Sequence, residues 1–375
     1  MFDGELAVTP PLDEAQLKRI PRRRGVVLLS ADSQPILLIT AADIRARIRT
    51  RLDRPPDDVR KKSADLREVT TRISWKLAAS AFEADLCLLE LGAALWPERL
   101  GDFVPWKAPW FVHVDLLERL PYFVCGRGQA ASGRSLGPFF RKRDAGRFIS
   151  AVEDAFDLCR DYRRLRRGPH AQRCSYGQMG RCLCPCDGTI SPPDYARAVE
   201  RAADFAAGDR RALRGRLRAE MKAAADRLDF ERAGSAKARL ERLGEFGRPA
   251  YAHARAIGEF RFIVVQRGRG RKHVRAFLVD RGAIGAAAAP DYPPDEARLE
   301  AFLRDARLYM GSPHAGDDAC PLRMGLVSGY LFSGPRRRGL IVRWRGDLSA
   351  AELVGRIRRG AEMLGLGADK PVPSP

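Results

Sequence analysis

Two short apolar runs with polar turn residues between them open the patterned part of the chain. Gly25-Val26-Val27-Leu28-Leu29-Ser30 and Pro35-Ile36-Leu37-Leu38-Ile39-Thr40 flank Ala31-Asp32-Ser33-Gln34 and predict a β-hairpin. From Ala41 to Leu52 the residues Ile44, Ile48 and Leu52 recur every four positions, the stripe of an amphipathic helix. Its other faces carry Arg45, Arg47, Arg49 and Arg51. A second helix is predicted from about Ser80 to Leu95, ending before Pro97. These elements predict a small α/β domain over residues 20–100.

Residues 101–190 read as a linking section. Trp110 to Val114 and Tyr122 to Cys125 are strand-like, Gly137-Pro138 predicts a turn, and a helix follows with Phe148, Ile149, Val152, Phe156 and Cys159 on one side. That helix ends in the basic run 160–167. Residues 191–246 are helical. Pro192-Pro193 starts a helix through Phe205, and two further stripes follow: Leu213, Leu217, Met221, Ala225 and Leu228, then Phe230, Ala233, Ala236, Leu240 and Leu243. With Asp229 between them the two stripes predict an antiparallel helical hairpin. Residues 249–366 predict a small α+β domain: strands over Phe260 to Gln266, Val274 to Asp280 and Leu340 to Trp344, helices over 294–309 and 349–364, and a loose end from Pro371 to Pro375. The whole reads as an α+β multidomain chain.

Composition adds a length of 375 residues, enough for two to four domains, and a formal charge of +20. No apolar run approaches the ~20 residues of a membrane span. The acidic start, MFDGELAVTPPLDEAQ, lacks the basic-then-apolar order of a secretion signal, so a cytoplasmic protein without a membrane partner is expected. The positive excess fits a nucleic acid, an anionic surface, or a genome that favours Arg.

Eight cysteines change the picture. Cys159, Cys174, Cys182, Cys184 and Cys186 fall within 28 residues, whereas Cys87, Cys125 and Cys320 stand alone. In a reducing compartment such a cluster argues for metal or redox chemistry rather than disulfides. Zinc and an iron–sulfur cluster both suit four local thiolates, with Arg173 and Arg181 beside them. Spacings of 15, 8 and 4 do not match the paired Cys-x-x-Cys of a zinc ribbon.

Cys174…Gly180-Arg181-Cys182…Pro185-Cys186…Gly188, followed by Ser191-Pro192, resembles the cysteine-rich segment of the excision-repair endonuclease subunit UvrC. The resemblance implies a [4Fe–4S] cluster on Cys159, Cys174, Cys182 and Cys186, with zinc the alternative and Cys184 an extra thiol. The hairpin carries a second likeness. Met221 to Ala233, with Leu228-Asp229-Phe230-Glu231, is similar to the UVR motif, which implies docking on a UvrB-like helicase through Met221, Leu228, Asp229, Phe230, Glu231 and Ala233. The order of segments agrees over about residues 20–245.

UvrC-like chains begin with a GIY-YIG nuclease domain, whose site uses two tyrosines, a lysine, an arginine and a metal-binding glutamate. Here the tyrosine positions fall on Val27 and Leu37, the glycine on Ile39, the lysine on Thr40 and the glutamate on Leu88, and only Arg47 is retained. Leucine cannot hold a metal and valine cannot replace a phenol. The resemblance therefore implies a degenerate GIY-YIG-like α/β domain without its Mg²⁺ and without that nuclease activity.

Two other readings stay open: an active nuclease similar to the shorter homologue Cho, using a displaced Glu83 or Glu90, and an Fe–S redox-sensing DNA-binding regulator. About 130 residues follow the hairpin, and the family's second, RNase-H-like nuclease is not expected in them. Their carboxylates Asp280, Asp291, Asp295, Asp305, Asp317 and Asp318 form no trusted two-metal pattern, and His273 and His314 read as surface residues. DNA contacts are expected from Arg45, Arg47, Arg49 and Arg51, from Arg269, Arg271 and Lys272 in the 267–272 loop, and from Arg337, with Tyr330 and Trp344 placed to stack on single strands.

Overall fold

The structure, a computed structural model, describes residues 2–9, 12–52, 66–208, 210–270, 272–287, 291–314 and 320–366. Arg271, Asp317, Asp318 and Pro371 to Pro375 lie outside them. The chain folds as two compact units, Met1–Lys107 together with Arg261–Pro375, and Ala108–Phe260.

The first segment contains β1 (Gly4–Ala7), α1 (Glu14–Lys18), β2 (Gly25–Ala31), β3 (Gln34–Ala41), α2 (Ile44–Leu52), β4 (Arg72–Leu77), α3 (Ala81–Leu95) and α4 (Leu100–Phe103). Its antiparallel sheet has the order β1-β4-β2-β3. The expected hairpin and both helices are present. Strands β1 and β4 were not expected: β1 buries only Leu6, and β4 carries its period-2 signal in just six residues. Because β1 pairs with β4, the domain starts before residue 20.

Helix α2 starts at Ile44, after Asp43, whose carboxylate accepts the Ala46 N–H at 3.0 Å. Gly25 is required by close approach, since a Cβ there would stand 2.1 Å from the Lys76 carbonyl oxygen.

The unit Ala108–Phe260 holds β5 (Trp110–Val114), β6 (Phe123–Arg127), β7 (Arg134–Phe139), α5 (Lys142–Phe156), α6 (Tyr162–Leu165), α7 (Ser175–Gln178), α8 (Pro192–Ala207), α9 (Arg210–Asp226), α10 (Phe230–Gly244) and β8 (Arg255–Ala256). Its sheet has the order β6-β5-β7-β8. Gly137-Pro138 lies inside β7 instead of forming a turn. A side chain at Gly137 would run into the Phe111 ring, 2.6 Å from an ideal Cβ, so the glycine serves packing between strands. Helix α5 stops at Phe156 because Asp157 turns left-handed at φ 50°, and Cys159 therefore follows the helix and does not extend its stripe. One aromatic core of Phe139, Phe148, Phe205, Phe246 and Tyr251 joins the sheet to α5, α8 and the base of the α9–α10 hairpin. The regions 101–190 and 191–246, expected as separate, thus share a core.

The last segment runs β9 (Arg261–Arg267), β10 (Val274–Asp280), β11 (Ala283–Ala287), α11 (Glu296–Gly311), α12 (Cys320–Leu331), α13 (Pro335–Arg338), β12 (Leu340–Arg343) and α14 (Ala350–Leu364). The sheet is antiparallel in the order β11-β10-β9-β12. Helices α11 and α14 cover the face of Ile263, Val265 and Leu278. Phe277, on the opposite face, meets Phe82 of α3 at a 5.0 Å ring separation, and Phe82 meets Tyr330 of α12 edge-on at 5.1 Å. Residues 249–366 are therefore not an independent domain: the segment from Arg261 packs its second sheet face on the N-terminal segment.

Candidate functional site

In the N-terminal sheet, opposed residues share a face. Val27 opposes Ile39 and Leu29 opposes Leu37, and this face packs on α1 and α2 through Leu17, Ile44 and Ile48. Val26 opposes Thr40 and Leu28 opposes Leu38, on the face covered by α3 with Leu88. Val27 and Leu88 are both buried, in opposite layers. The structure does not bring Val27, Leu37 and Leu88 to one point, and the sheet is filled with hydrocarbon on both sides.

Arg47 and Glu90 are exposed. Glu83 is committed: one carboxylate oxygen accepts the Ala79 N–H at 2.6 Å and the other accepts Arg275 Nη2 at 2.7 Å. Arginines on α2 are likewise in use. Arg45 donates to the carbonyls of Ile20 and Lys18, each at 2.7 Å, and Arg49 pairs with Glu14 at 2.6 and 2.9 Å. These bonds tie α2 to the α1 segment, which sequence reading had left unassigned.

The cysteines gather where α5 ends. Cys159 and Cys186 are buried, Cys182 is half-buried, and Cys174 caps α7. The Cys159 thiol hydrogen-bonds Cys182, which holds Cys159 up and pulls Cys182 down. Burial first, then the nearby Asp187 and the thiols of Cys182 and Cys174, pushes Cys186 up. The Cys184 N–H donates to Cys182 Sγ at 3.4 Å. Cys184 itself is buried at φ 54°, and its Sγ would stand 2.6 Å from a Cβ on Gly177.

Arginines staple this segment together. Arg173 pairs with Asp187 at 2.7 Å, Arg160 donates to the Arg181 carbonyl at 2.8 Å and to Asp154, and Arg164 donates to Asp161 and to the Gln172 carbonyl at 3.0 and 2.9 Å. Arg160 and Arg164 of the 160–167 run are thus spent on the cysteine segment, and Arg166 on Tyr122. An all-thiol donor set from three adjacent stretches fits a thiolate-held group chemically. Among the described residues, no three donors converge on a common centre.

The hairpin of α9 and α10 is anchored at one end only. Leu217 and Leu243 are buried in the unit's core, and among the described side chains between the helices only the small Ala224 and Ala236 are buried. At the tip Leu228 turns left-handed at φ 60°, and Asp229 caps α10 by accepting the Arg232 N–H at 3.0 Å. Leu228 and Phe230 are each 72% exposed, Glu231 is exposed, and Met221 and Ala233 are half-buried. Ala224, not the expected Ala225, continues the buried stripe.

In the last segment, Arg269, Lys272 and Arg337 are exposed. The stacking aromatics are not available: Tyr330 is 1% exposed and Trp344 packs against the tail core. Arg337 sits on a short helix, not a turn. Asp280 is fully buried and paired with Arg261 and Arg281 at 2.9 and 3.0 Å, a structural role. Two features escaped sequence reading. Arg22-Arg23-Arg24, a basic run directly before β2, carries the same signal as the loops that were noticed. Asp85 shows as a lone acid in the apolar run of α3; it is buried and bonded to Tyr330.

Residues 109–205 match the UvrC/Cho excinuclease middle domain, and residues 212–246 match the UvrB/uvrC motif. The chain is UvrC-like. It is similar to UvrABC system protein C of Alcanivorax borkumensis, 26% identical over 302 residues that are 77% of this chain and 48% of that protein. The counterpart from Nitrobacter hamburgensis is 27% identical over 321 residues, 83% of this chain and 45% of that protein. That of Sphingopyxis alaskensis is 28% identical over 294 residues, 75% and 44% of the two chains. The chain thus spans a little under half the length of these UvrC relatives. No solved structure matches it. The UvrC middle-domain match covers the cysteine segment, and the motif match covers the hairpin with the open apolar tip. No helix among the described residues is long and apolar enough to cross a membrane.

Proposed function

We propose that this is a cytoplasmic, DNA-binding, UvrC-like protein of nucleotide excision repair that docks on a UvrB-like helicase and does not cut by the GIY-YIG mechanism. The observation that carries the reading is the hairpin tip. Leu228 and Phe230 stand exposed at the tip of the hairpin, within the matched motif, where the two helices do not cover their own apolar residues. Loss of cleavage is supported by hydrocarbon at Val27, Leu37 and Leu88 and by their division between two layers. Use of Glu83 as the displaced acid is disfavoured because both its oxygens are already bonded, which leaves exposed Glu90 as the candidate of that alternative.

Cys159, Cys174, Cys182 and Cys186 are the proposed holders of a [4Fe–4S] cluster, which would lock the segment between α5 and α8; zinc is the competing occupant. The flanking arginines would offset the charge of four thiolates.

The test is paired. Wild-type protein is expected to bind a UvrB-like helicase, with loss of binding in Phe230→Ala, and to leave damaged duplex uncut in Mg²⁺ or Mn²⁺. Cleavage abolished by Arg47→Ala would sink the inactive-site reading. Unchanged helicase binding in Phe230→Ala would sink the docking reading.

A further inference from the structure

The unit that joins the N-terminal and last segments carries a groove of roughly 520 Å³ lined by Arg22, Arg23, Arg24, Arg267, Arg269 and Arg337. No carboxylate lines it among the described residues, whereas the hollows at Arg147–Arg248, Leu12–Arg67 and Ala155–Arg242 each include acids. Neither basic segment falls within the matched family regions.

The walls are built, not incidental. Arg267 Nε donates to the Gly270 carbonyl at 3.2 Å, which curls the loop. Buried Gln266 donates to the Arg338 carbonyl at 3.1 Å and fastens the loop after β9 to α13. Gly339 at φ 65° makes room for it, because a Cβ there would meet Gln266 at 2.4 Å. Arg337 lies 3.7 Å from Asp85 Oδ2 and over the Tyr330 ring at 5.3 Å, so the buried carboxylate and the ring aim the guanidinium from below. Ser80 at the start of the 15-residue α3 adds the positive end of a helix.

Arg22 pairs with Asp43 at 3.3 Å and Arg337 is held by Asp85, and the groove's guanidiniums together are still more than one phosphate can pair with; their fork geometry suits a row of phosphates. Tyr330 is buried and Gln266 is occupied, so the groove offers neither an aromatic ring nor a side-chain amide to bases, and its arginines fit the backbone phosphates. We propose that this groove binds the sugar–phosphate backbone of nucleic acid without regard to sequence, and that Asp85 is the positioning residue for Arg337. The inference rests on the DNA-binding reading above and gives it a site away from α2.

The experiment measures anisotropy of labelled mixed-sequence duplex and single-stranded DNA with the full-length chain over a salt series. Arg23→Gln/Arg269→Gln should lower duplex affinity at least tenfold and flatten the log K against log salt slope by about 2, since each phosphate contact contributes ~0.9. Both residues are exposed and outside the core, so the fold is kept. Arg304→Gln/Arg307→Gln on α11, which removes two exposed charges as well, is the charge-matched control. Asp85→Asn should weaken binding although it removes a negative charge; simple electrostatics would strengthen it. A second sequence should lose as much as the first.

Wild-type binding with an unchanged slope in the double variant overturns the groove and leaves DNA binding standing. No binding of either DNA form by wild type at low salt overturns both. An equal loss in Arg304→Gln/Arg307→Gln makes the effect one of bulk charge and overturns the groove. Which DNA form loses more tells duplex from single strand.

Discussion

The Tyr330 hydroxyl donates a 2.7 Å hydrogen bond to Asp85 Oδ2 across 245 positions of sequence, with both residues buried. Removing the hydroxyl leaves a buried carboxylate short of a donor. Tyr330→Phe should therefore destabilise by about 1–3 kcal/mol, more than the loss of an average hydrogen bond. Urea unfolding checks this, and a change below about 0.5 kcal/mol would show that the pair does not join the two segments.

The same carboxylate makes stability depend on pH. Burial holds Asp85 above the usual carboxylate range, against the opposing pull of Tyr330, Arg337 and Arg24. Between the unfolded value of about 3.9 and the raised folded value, the folded chain keeps a proton that the unfolded chain has lost. The contribution of Asp85 is thus complete at the acid end and declines as pH rises through the folded value. Wild-type stability minus that of Asp85→Asn should fall over this window; a flat difference would contradict the assignment.

Gly25→Ala tests the packing of β2 on β4. The added carbon would stand 2.1 Å from a main-chain oxygen, and backbone cannot swing away as a side chain can. A loss of about 1–3 kcal/mol is expected, read as a lower denaturation midpoint. A neutral result would mean that the strand pair is looser than described.

Leu228→Gly separates folding from docking. Leucine at φ 60° carries a left-handed penalty of about 1–2 kcal/mol that glycine lacks, and the exposed side chain contributes little packing. The variant should unfold no more easily than wild type yet bind the helicase more weakly. Equal loss of both would place Leu228 in the core of the unit.

Cys182→Ser should lose the iron and sulfide of anaerobically purified protein, whereas Cys184→Ser should keep them. Cys182 receives bonds from its neighbours, while Cys184 is turned into the wall against Gly177. Stoichiometric zinc without iron would replace the cluster assignment, and metal loss in Cys184→Ser would reassign the ligands.

Several parts of this arrangement are legible as local patterns. The β2–β3 hairpin, the stripe of α2, the start of α8 after Ser191 and the paired stripes of α9 and α10 depend on neighbours a few residues apart, and their spacing announces them. The proposed absence of the GIY-YIG groups is local too, because it needs only the identities of Val27, Leu37 and Leu88. The cysteines stand out by number and crowding, and Asp229 announces the break in the hairpin.

Other parts depend on partners far along the chain. Whether an arginine is free or spent is decided by what stands opposite it: Arg45 and Arg49 meet the α1 segment, and Arg160 and Arg164 meet the cysteine segment, so these four serve the fold. Arg23, Arg269 and Arg337 line one groove because Phe82, Phe277 and Tyr330 bring the first and last segments together. The same contact buries Tyr330 and removes it from the surface where a basic, aromatic-flanked turn had placed it. Spacing along a chain specifies which face of an element is apolar. Which other face covers it, and therefore which charges are left outside, follows only from closing loops hundreds of residues long, and no local pattern records that closure.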